Sequence, residues 1–529
     1  MTVVTTMDED KGPGRAYRPG WVWRAVLALC ITFGVIIRFV HLDRQVVWHD
    51  EAYILMQVAG FSKAEMVTYL YDHDLRPADL LRLQRVQPDR WLRHALNVLA
   101  VEDPQLTPLF HVLTYYWMRL FGDDVAHIRL LPALAGVLAL AALFGLGLEL
   151  FHAVWSAALA AALVAVSPFH VIYAREIREY SLWTLMIALS SYLLLRAMRQ
   201  PTRRGWAAYA LSASVGLYSH LFFSLVMLAH GLYVLAHTSQ GWRWPLVGQR
   251  QVRLFVLASA GAGLAFMAWG WRLLVEMVSG RWSSRLEGPP VSALEATGWW
   301  LDGLFHLFVD PGVWREGLAW RALEIPVLVI LLAALVTTWR RLATPTRRFL
   351  LSLTLAPLAA LVLLDAVSSS PLAVVSRYFI PTYLGLHLIL VYMLARLMSQ
   401  GGRRWLGQGL AVALVLIGAW SSLTVTADDV VRSKGVGVHM PNIARIINQA
   451  DHPLLIGPRD TGLYHAAVLS RLVRPDAVFR LVLDVKTLPP LPQDRDVFVL
   501  FPRPEEVQSM AASGRQVDDV YLGVLYHLR

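Results

Sequence analysis

The chain of 529 residues is 56% hydrophobic and 16% charged, with a formal net charge of +10 and a mean hydropathy of +0.48. Soluble domains carry about 25% charged residues, so the composition excludes a soluble globular protein and predicts an all-α polytopic membrane protein. A positive balance would suggest nucleic acid in a soluble chain. Here the basic residues fall in short blocks between apolar segments, at 196–204, 243–253, 340–348 and Arg403-Arg404. That is the positive-inside pattern, and it leaves nucleic acid out of the expected partners. The single cysteine, Cys30, excludes an intrachain disulfide and a cysteine-rich metal site.

Residues 1–20 predict a disordered cytoplasmic tail, with Arg15 and Arg18 beside the membrane. Residues 21–40 are nearly all apolar and long enough to cross a hydrocarbon core of about 30 Å. The run is too long, and too many spans follow, for a cleaved signal peptide. Arg24 and the tail basics put the N-terminus in the cytoplasm, so 41–105 is exterior. Within it, 79–100 is amphipathic and suits helices lying along the interface. Apolar segments follow near 106–121, 128–150, 153–170, 180–196, 206–219, 221–237, 254–272, 322–339, 349–366, 379–398 and 405–424.

Charge parity orders them. The basic run 196–204 is cytoplasmic, so Arg175-Glu176-Ile177-Arg178-Glu179 is exterior. Segment 106–121 must then start and end outside. It is short for a span of about 20 residues, and reads as a helix on, or dipping into, the outer leaflet. Segments 206–219 and 221–237 form a tight two-span hairpin. The count is eleven transmembrane helices, N-terminus in and C-terminus out. From 425 to 529 the chain becomes a small exterior α/β domain. Its buried strands lie at 454–458 and 497–501, and helical spacing appears over 440–450 and 460–474. The predicted domains are thus the tail 1–20, a membrane domain 21–424 whose exterior loop 41–127 carries the acidic residues, and 425–529. No glycine-rich phosphate loop and no repeat unit appears.

Four constellations on the exterior face can carry chemistry. The first is Trp48-His49-Asp50-Glu51-Ala52-Tyr53, two carboxylates about ten residues beyond a span, with Trp48 and Tyr53 as interfacial anchors. Carboxylates this close to lipid are costly unless they do chemistry; alternatively they cap the following helix. The second is Glu102-Asp103-Pro104, where Asp103 is either functional or an ordinary turn residue. The third runs from Ser167 through Tyr180. Arg175 and Arg178, one helical turn apart, with nearby tyrosines, make a phosphate clamp, because guanidinium matches phosphate oxygens in bidentate fashion. Arg175 can also pair with Glu179 at i,i+4. The fourth is Ser376-Arg377-Tyr378, a lipid-phosphate site or a snorkelling arginine. His220, Arg281 and Arg285 read as ordinary loop residues. Together the sets suggest arginines that hold an anionic leaving group and a carboxylate that takes a proton from an incoming nucleophile.

These residues resemble the GT-C superfamily of polytopic glycosyltransferases, in the bacterial branch similar to protein O-mannosyltransferases and lipid A aminoarabinose transferases. The likeness covers about residues 25–400 and lies in the order of five motifs: Asp50-Glu51; Gln105 to Phe110; Leu120-Phe121-Gly122-Asp123 with Arg129-Leu130-Leu131-Pro132; Ser167 to His170 with Glu176, Arg178 and Tyr180; and Arg377, Tyr378 and Pro381. It implies a GT-C fold and inverting transfer of a hexosyl or pentosyl group from a polyprenyl-phosphate sugar to a glycan, lipid or protein outside the cytoplasm. It also implies a place in the bacterial inner membrane. Asp50 is the implied catalytic base and Glu51 the acceptor guide. Arg175, Glu176, Arg178 and Tyr180 are the implied donor-site residues, and Arg377 and Tyr378 the phosphate pocket. Asp103 and His111 are further candidates, from the residues themselves, for an acceptor or second acidic site. One departure stands out: the histidine that opens the family's second motif is Leu106 here. Metal dependence varies within the superfamily; Asp50 and Asp103 could share a divalent ion, and the sequence shows no dedicated ligand set. Two other readings are a lipid-linked glycan transporter or flippase and a non-catalytic glycan- or lipid-binding partner. The spans carry few ionisable groups at their middles and no inverted repeat, unlike a transporter.

Overall fold

In lipid only a helix satisfies its own backbone, and every predicted apolar segment is helical in the computed structural model. It describes residues 19–238, 250–279, 292–313, 320, 322–368, 372, 375–458, 462–484, 488 and 492–529. The tail to residue 18, most of the basic block 243–253, Arg281 and Arg285 lie outside the described residues. Six of the described helices are long and apolar enough to cross a bilayer: Val125–Phe151, Tyr180–Arg199, Arg250–Val278, Thr344–Ala366, Ser376–Ser399 and Gly401–Ala427. Trp21–Ile37, Val154–Ala165 and Phe223–Thr238 are shorter apolar helices. The chain is a multi-pass, predominantly helical membrane protein. The predicted span 153–170 is broken in two, because Pro168 cannot continue a ladder and instead starts a new helix, Pro168–Tyr173.

The chain divides into two units. The first contains Met1–Val40, Gln105–Leu109 and Pro132–Thr426. Its central helix is Ile380–Ser399, where the apolar window is 94% buried. Helix Trp21–Ile37 meets Val154–Ala165 at Gly34, where an added Cβ would lie 2.4 Å from the Cβ of Ala165. A small residue there lets two backbones approach in a way leucine would forbid. Just beyond, buried Arg38 donates from Nη1 to the carbonyls of Gly34 (2.5 Å) and Ala165 (2.9 Å), and from Nη2 to Val164 (3.3 Å). It thereby satisfies carbonyls at the open ends of both helices.

The second unit contains His41–Pro104, Phe110–Leu131 and Ala427–Arg529. Residues 41–104 and 427–529, read separately from sequence, share one sheet here. Its strands are β1 (Asp74–Leu75), β2 (Leu454–Pro458), β3 (Val478–Val482), β4 (Val497–Leu500), β5 (Val517–Tyr521) and β6 (Leu525–Leu528), in the order β1-β3-β2-β4-β6-β5. The central β3-β2-β4 pairs are parallel and the outer pairs antiparallel. The parallel strands are buried on both faces, which is why 454–458 and 497–500 read as continuous apolar runs. Leu454, Ile456, Val478, Val497 and Val499 form the core beneath them. The interfacial stretch 79–100 becomes two short helices, Pro77–Arg82 and Leu92–Glu102, separated by Gln87-Pro88-Asp89.

Candidate active site

In the second unit the acidic step begins the helix His49–Ala59. Trp48 is its N-cap, and Glu51 reaches back so that Oε2 accepts from the Trp48 backbone N–H at 3.2 Å. Both carboxylates lie in the first turn, where the exposed amides and the helix dipole favour negative charge. Their environments differ sharply. The Asp50 side chain is 21% exposed, and its Oδ1 lies 3.2 Å from His49 Nε2. Glu51 is fully buried in a fork with Arg129, Nη2 to Oε2 at 2.8 Å and Nε to Oε1 at 3.1 Å, with Lys434 Nζ 3.5 Å from Oε2. Arg129 Nη1 also donates to the carbonyls of Leu42 and Gln45, both at 2.8 Å, and Lys434 Nζ to Val46 at 2.7 Å. Glu51 therefore fastens the loop leading into its own helix.

Trp48 and Tyr53 are not the interfacial anchors expected from sequence. Trp48 is buried, with its ring edge on His49, and the Tyr53 hydroxyl donates to Asp103 Oδ2. Aromatic residues serve equally well as caps and hydrogen-bond donors when a helix folds back over them. Asp103, the C-cap of Leu92–Glu102, also accepts from Gln57 Nε2 at 3.0 Å, and Lys63 Nζ lies 3.7 Å away. Gln57 Oε1 is 3.1 Å from His111 Nε2. Tyr53 and Gln57, four residues apart on one helix face, thus tie Asp103 to His111. Burial, and then the Asp103 charge, hold the Tyr53 hydroxyl well above the usual tyrosine range. Asp103 is more than a turn residue, and Gln57, Arg129 and Lys434 were not singled out from sequence. Among the described residues no three His, Cys, Asp or Glu side chains converge as a metal-ligand set.

The first unit gathers the arginines. Residues Ala174 to Glu179 form turns and bends between helices Pro168–Tyr173 and Tyr180–Arg199. Arg175 and Arg178 are therefore not a helical turn apart, and the expected i,i+4 pair with Glu179 does not form. Buried Arg175 instead donates from Nη1 to Ile37 O (2.8 Å) and Val40 O (2.5 Å), closing the end of the first helix. Glu176 is buried beside it in sequence. Arg178 donates from Nη2 to the Tyr180 hydroxyl at 3.0 Å, and its Nε is 3.5 Å from Glu179 Oε2.

Arg377, two hundred residues on, arrives at the same place on the turn Ser376–Phe379. The guanidinium carbons of Arg178 and Arg377 lie 5.3 and 5.7 Å from the centre of the Tyr180 ring, and Arg377 is 5.9 Å from the Tyr378 ring. Tyr173 is hydrogen-bonded to Ser376 and Arg377, and burial pushes its hydroxyl up to about 12 against the pull of Arg377. His220 stacks on Trp183 at 4.0 Å and lies 6.1 Å from Tyr378. Burial, then Arg178 and Arg377, push its imidazole down to about 3, so it is neutral at physiological pH. The third and fourth predicted constellations are one cluster, and His220, read from sequence as a loop residue, belongs to it. The Tyr218-Ser219-His220 corner between two apolar helices was the signal that could have found it.

Known proteins bear on this arrangement. Residues 104–269 match the family described as dolichyl-phosphate-mannose-protein mannosyltransferase. No curated protein matches the sequence. Among solved structures, ArnT from Cupriavidus metallidurans bound to undecaprenyl phosphate is similar over 95% of this chain and 98% of its own, with 12% identity and a TM-score of 0.54. Its apo state is similar over 96% and 98%, with 14% identity and a TM-score of 0.52. The chain shares the fold of these structures, the GT-C fold expected from its motifs.

Proposed function

We propose that this GT-C membrane protein is a glycosyltransferase that moves a sugar from a polyprenyl-phosphate donor to an extracytoplasmic acceptor with inversion at the anomeric carbon. The observation that carries the reading is the convergence of Arg178, Tyr173 and Tyr180 from one stretch of chain with Arg377 from another, two hundred residues on, into one largely buried cluster. Such a cluster suits a phosphate that must leave as an anion, because charge-assisted bonds to it strengthen as charge develops. The polyprenyl phosphate named with the similar ArnT structure, and the dolichyl phosphate named in the matched family, support the same donor class.

In this mechanism the acceptor hydroxyl or amine attacks the anomeric carbon. Asp50 takes its proton, the new glycosidic bond forms, and the anomeric carbon–oxygen bond to phosphate breaks. Polyprenyl phosphate leaves with the bonding electrons. Arg178 and Arg377 hold that phosphate, with Tyr180 and Tyr378 completing its wall. Glu51, through Arg129 and Lys434, positions the helix that carries Asp50, and Asp103 with His111 shapes the acceptor side. The active face is the extracytoplasmic one, as the charge bias assigns it. If a divalent ion takes part, Asp50, partly exposed at 21%, and Asp103 are the carboxylates proposed to hold it.

The test is transfer from a synthetic polyprenyl-phosphate sugar by the full chain in nanodiscs, with and without EDTA. The expected result is turnover by wild type and none by Asp50→Asn, with donor binding kept. Turnover retained by Asp50→Asn removes the base assignment. Absence of donor binding by wild type, or lipid translocation without transfer, removes the reading as a whole.

A further inference from the structure

The basic end of the first unit carries a second feature, built from none of the residues of the proposed site. The helix Glu324–Arg341 ends in Arg340-Arg341, Ile380–Ser399 has Arg396 in its last turn, and the turn Gly401–Arg403 ends in Arg403 just before Arg404–Ala427. Together these elements line a cavity of about 500 Å³. Its apolar wall includes Val329, Ala333 and Leu410, and the helix-end Arg341, Arg396 and Arg403 are its basic rim. Trp339 and Trp405, beside this rim in sequence, are 64% and 72% exposed. Exposed tryptophans at helix ends mark the headgroup level of a bilayer. Among the described residues no carboxylate forms an ion pair with any of the three rim arginines.

A single arginine at a helix C-terminus is explained by the dipole. The positive-inside bias accounts for the side of the membrane they share; three from separate elements around one apolar cavity also concentrate their charge at one point. We infer that this groove binds one anionic glycerophospholipid, its phosphate between Arg341, Arg396 and Arg403 and part of an acyl chain on Val329, Ala333 and Leu410. Charge chooses the occupant. A zwitterionic lipid offers the same phosphate but brings its own cation to three guanidinium groups. The charge bias puts this end in the cytoplasm, whose leaflet is the one that presents anionic headgroups. The site is thus a lipid anchor at the opposite end of the chain's topology from the proposed donor phosphate.

Native mass spectrometry of the full-length protein, with palmitoyl-oleoyl phosphatidylglycerol added, tests this. Wild type is expected to retain one phosphatidylglycerol in preference to phosphatidylcholine. Each arginine near such a headgroup contributes about fivefold, so the combined Arg341→Gln, Arg396→Gln, Arg403→Gln variant should lose about a hundredfold. Ala333→Trp, which fills the groove and leaves all three charges, should lose binding as well. Arg203→Gln with Arg204→Gln, also basic and exposed but outside the groove, should leave retention unchanged. Equal retention by the triple variant, or equal loss in the Arg203/Arg204 control, overturns the site. Full competition by glycerol 3-phosphate also overturns it, because the ligand would then be a free phosphate.

Discussion

Arg129 in one unit and Arg178 in the other are both buried guanidinium groups close to a carboxylate, and they do opposite things. Arg129 meets Glu51 with two nitrogens, at 2.8 and 3.1 Å, and spends its remaining donors on main-chain carbonyls. Arg178 meets Glu179 with one nitrogen at 3.5 Å and lies over the face of Tyr180, which Arg377 shares. The first arrangement is a closed fork, in which charge and geometry are exhausted inside the protein. In the second, two guanidinium groups share one aromatic ring. The difference teaches that a buried arginine is read by how it is spent, not by its type or depth.

That contrast can be broken experimentally. The largest stability effect is expected at Glu51. Glu51→Ala leaves Arg129 and Lys434 buried without their carboxylate, which costs about 3–5 kcal/mol. Thermal unfolding should show it, whereas a variant of unchanged stability would mean the fork is ornamental. Asp50→Asn should do the reverse, with unfolding unchanged and transfer lowered about 10²–10⁴-fold, the usual contribution of a positioned base. In the other unit, Arg178→Lys and Arg377→Lys should each weaken donor binding about tenfold despite keeping the charge, since an ammonium loses the planar fork. Calorimetry with a polyprenyl-phosphate sugar would measure this, and full rescue by lysine would reduce the cluster to a simple positive field.

Smaller effects sharpen the edges. Tyr53→Phe removes one donor from buried Asp103 and should cost about 1–3 kcal/mol, read by denaturant unfolding. His465, packed on Phe501 at 4.0 Å, is pushed down to about 4 by burial and then by His49. Its ordinary value is 6.5, so the unfolded chain takes up a proton first. Stability should fall as pH drops from about 6.5 to 4, with a slope of at most about 1.4 kcal/mol per pH unit. His465→Gln should flatten that stretch of the stability curve, and an unaltered slope would assign it to other groups.

Much of this was legible in the sequence. Apolar length found the helices because a lone apolar segment in lipid satisfies its own backbone only as a helix. The continuous runs 454–458 and 497–500 announced strands because a parallel sheet is covered on both faces. Asp50, Arg178 and Arg377 stood out because charge beside a span is costly. What could not be read was partnership. Nothing near Glu51 in sequence names Arg129 or Lys434, and nothing near Arg178 names Arg377. The two-residue β1 is too short to carry a period. Arg175 and Arg178 looked alike because spacing alone assumes a helix, and the six residues from Ala174 to Glu179 are turns. Trp48 and Tyr53 misled because an amphipathic ring suits an interface and a buried hydrogen bond equally well.

The pairing of β1 with β3 has a consequence in time. Asp74 and Arg480, joined at 2.7 Å, are 406 positions apart, and Lys434 reaches Val46 across 388. The segment carrying Asp50 leaves the ribosome early, yet two of the ties that fix it are made by residues synthesised about four hundred positions later. Through most of translation the proposed base therefore lacks its final mooring. A ribosome stalled before codon 434 should display residues 41–104 to a protease, and one stalled after the last strand should not. The late domain acts as a latch on the early one, so that a truncated chain cannot assemble the acidic helix in its finished form.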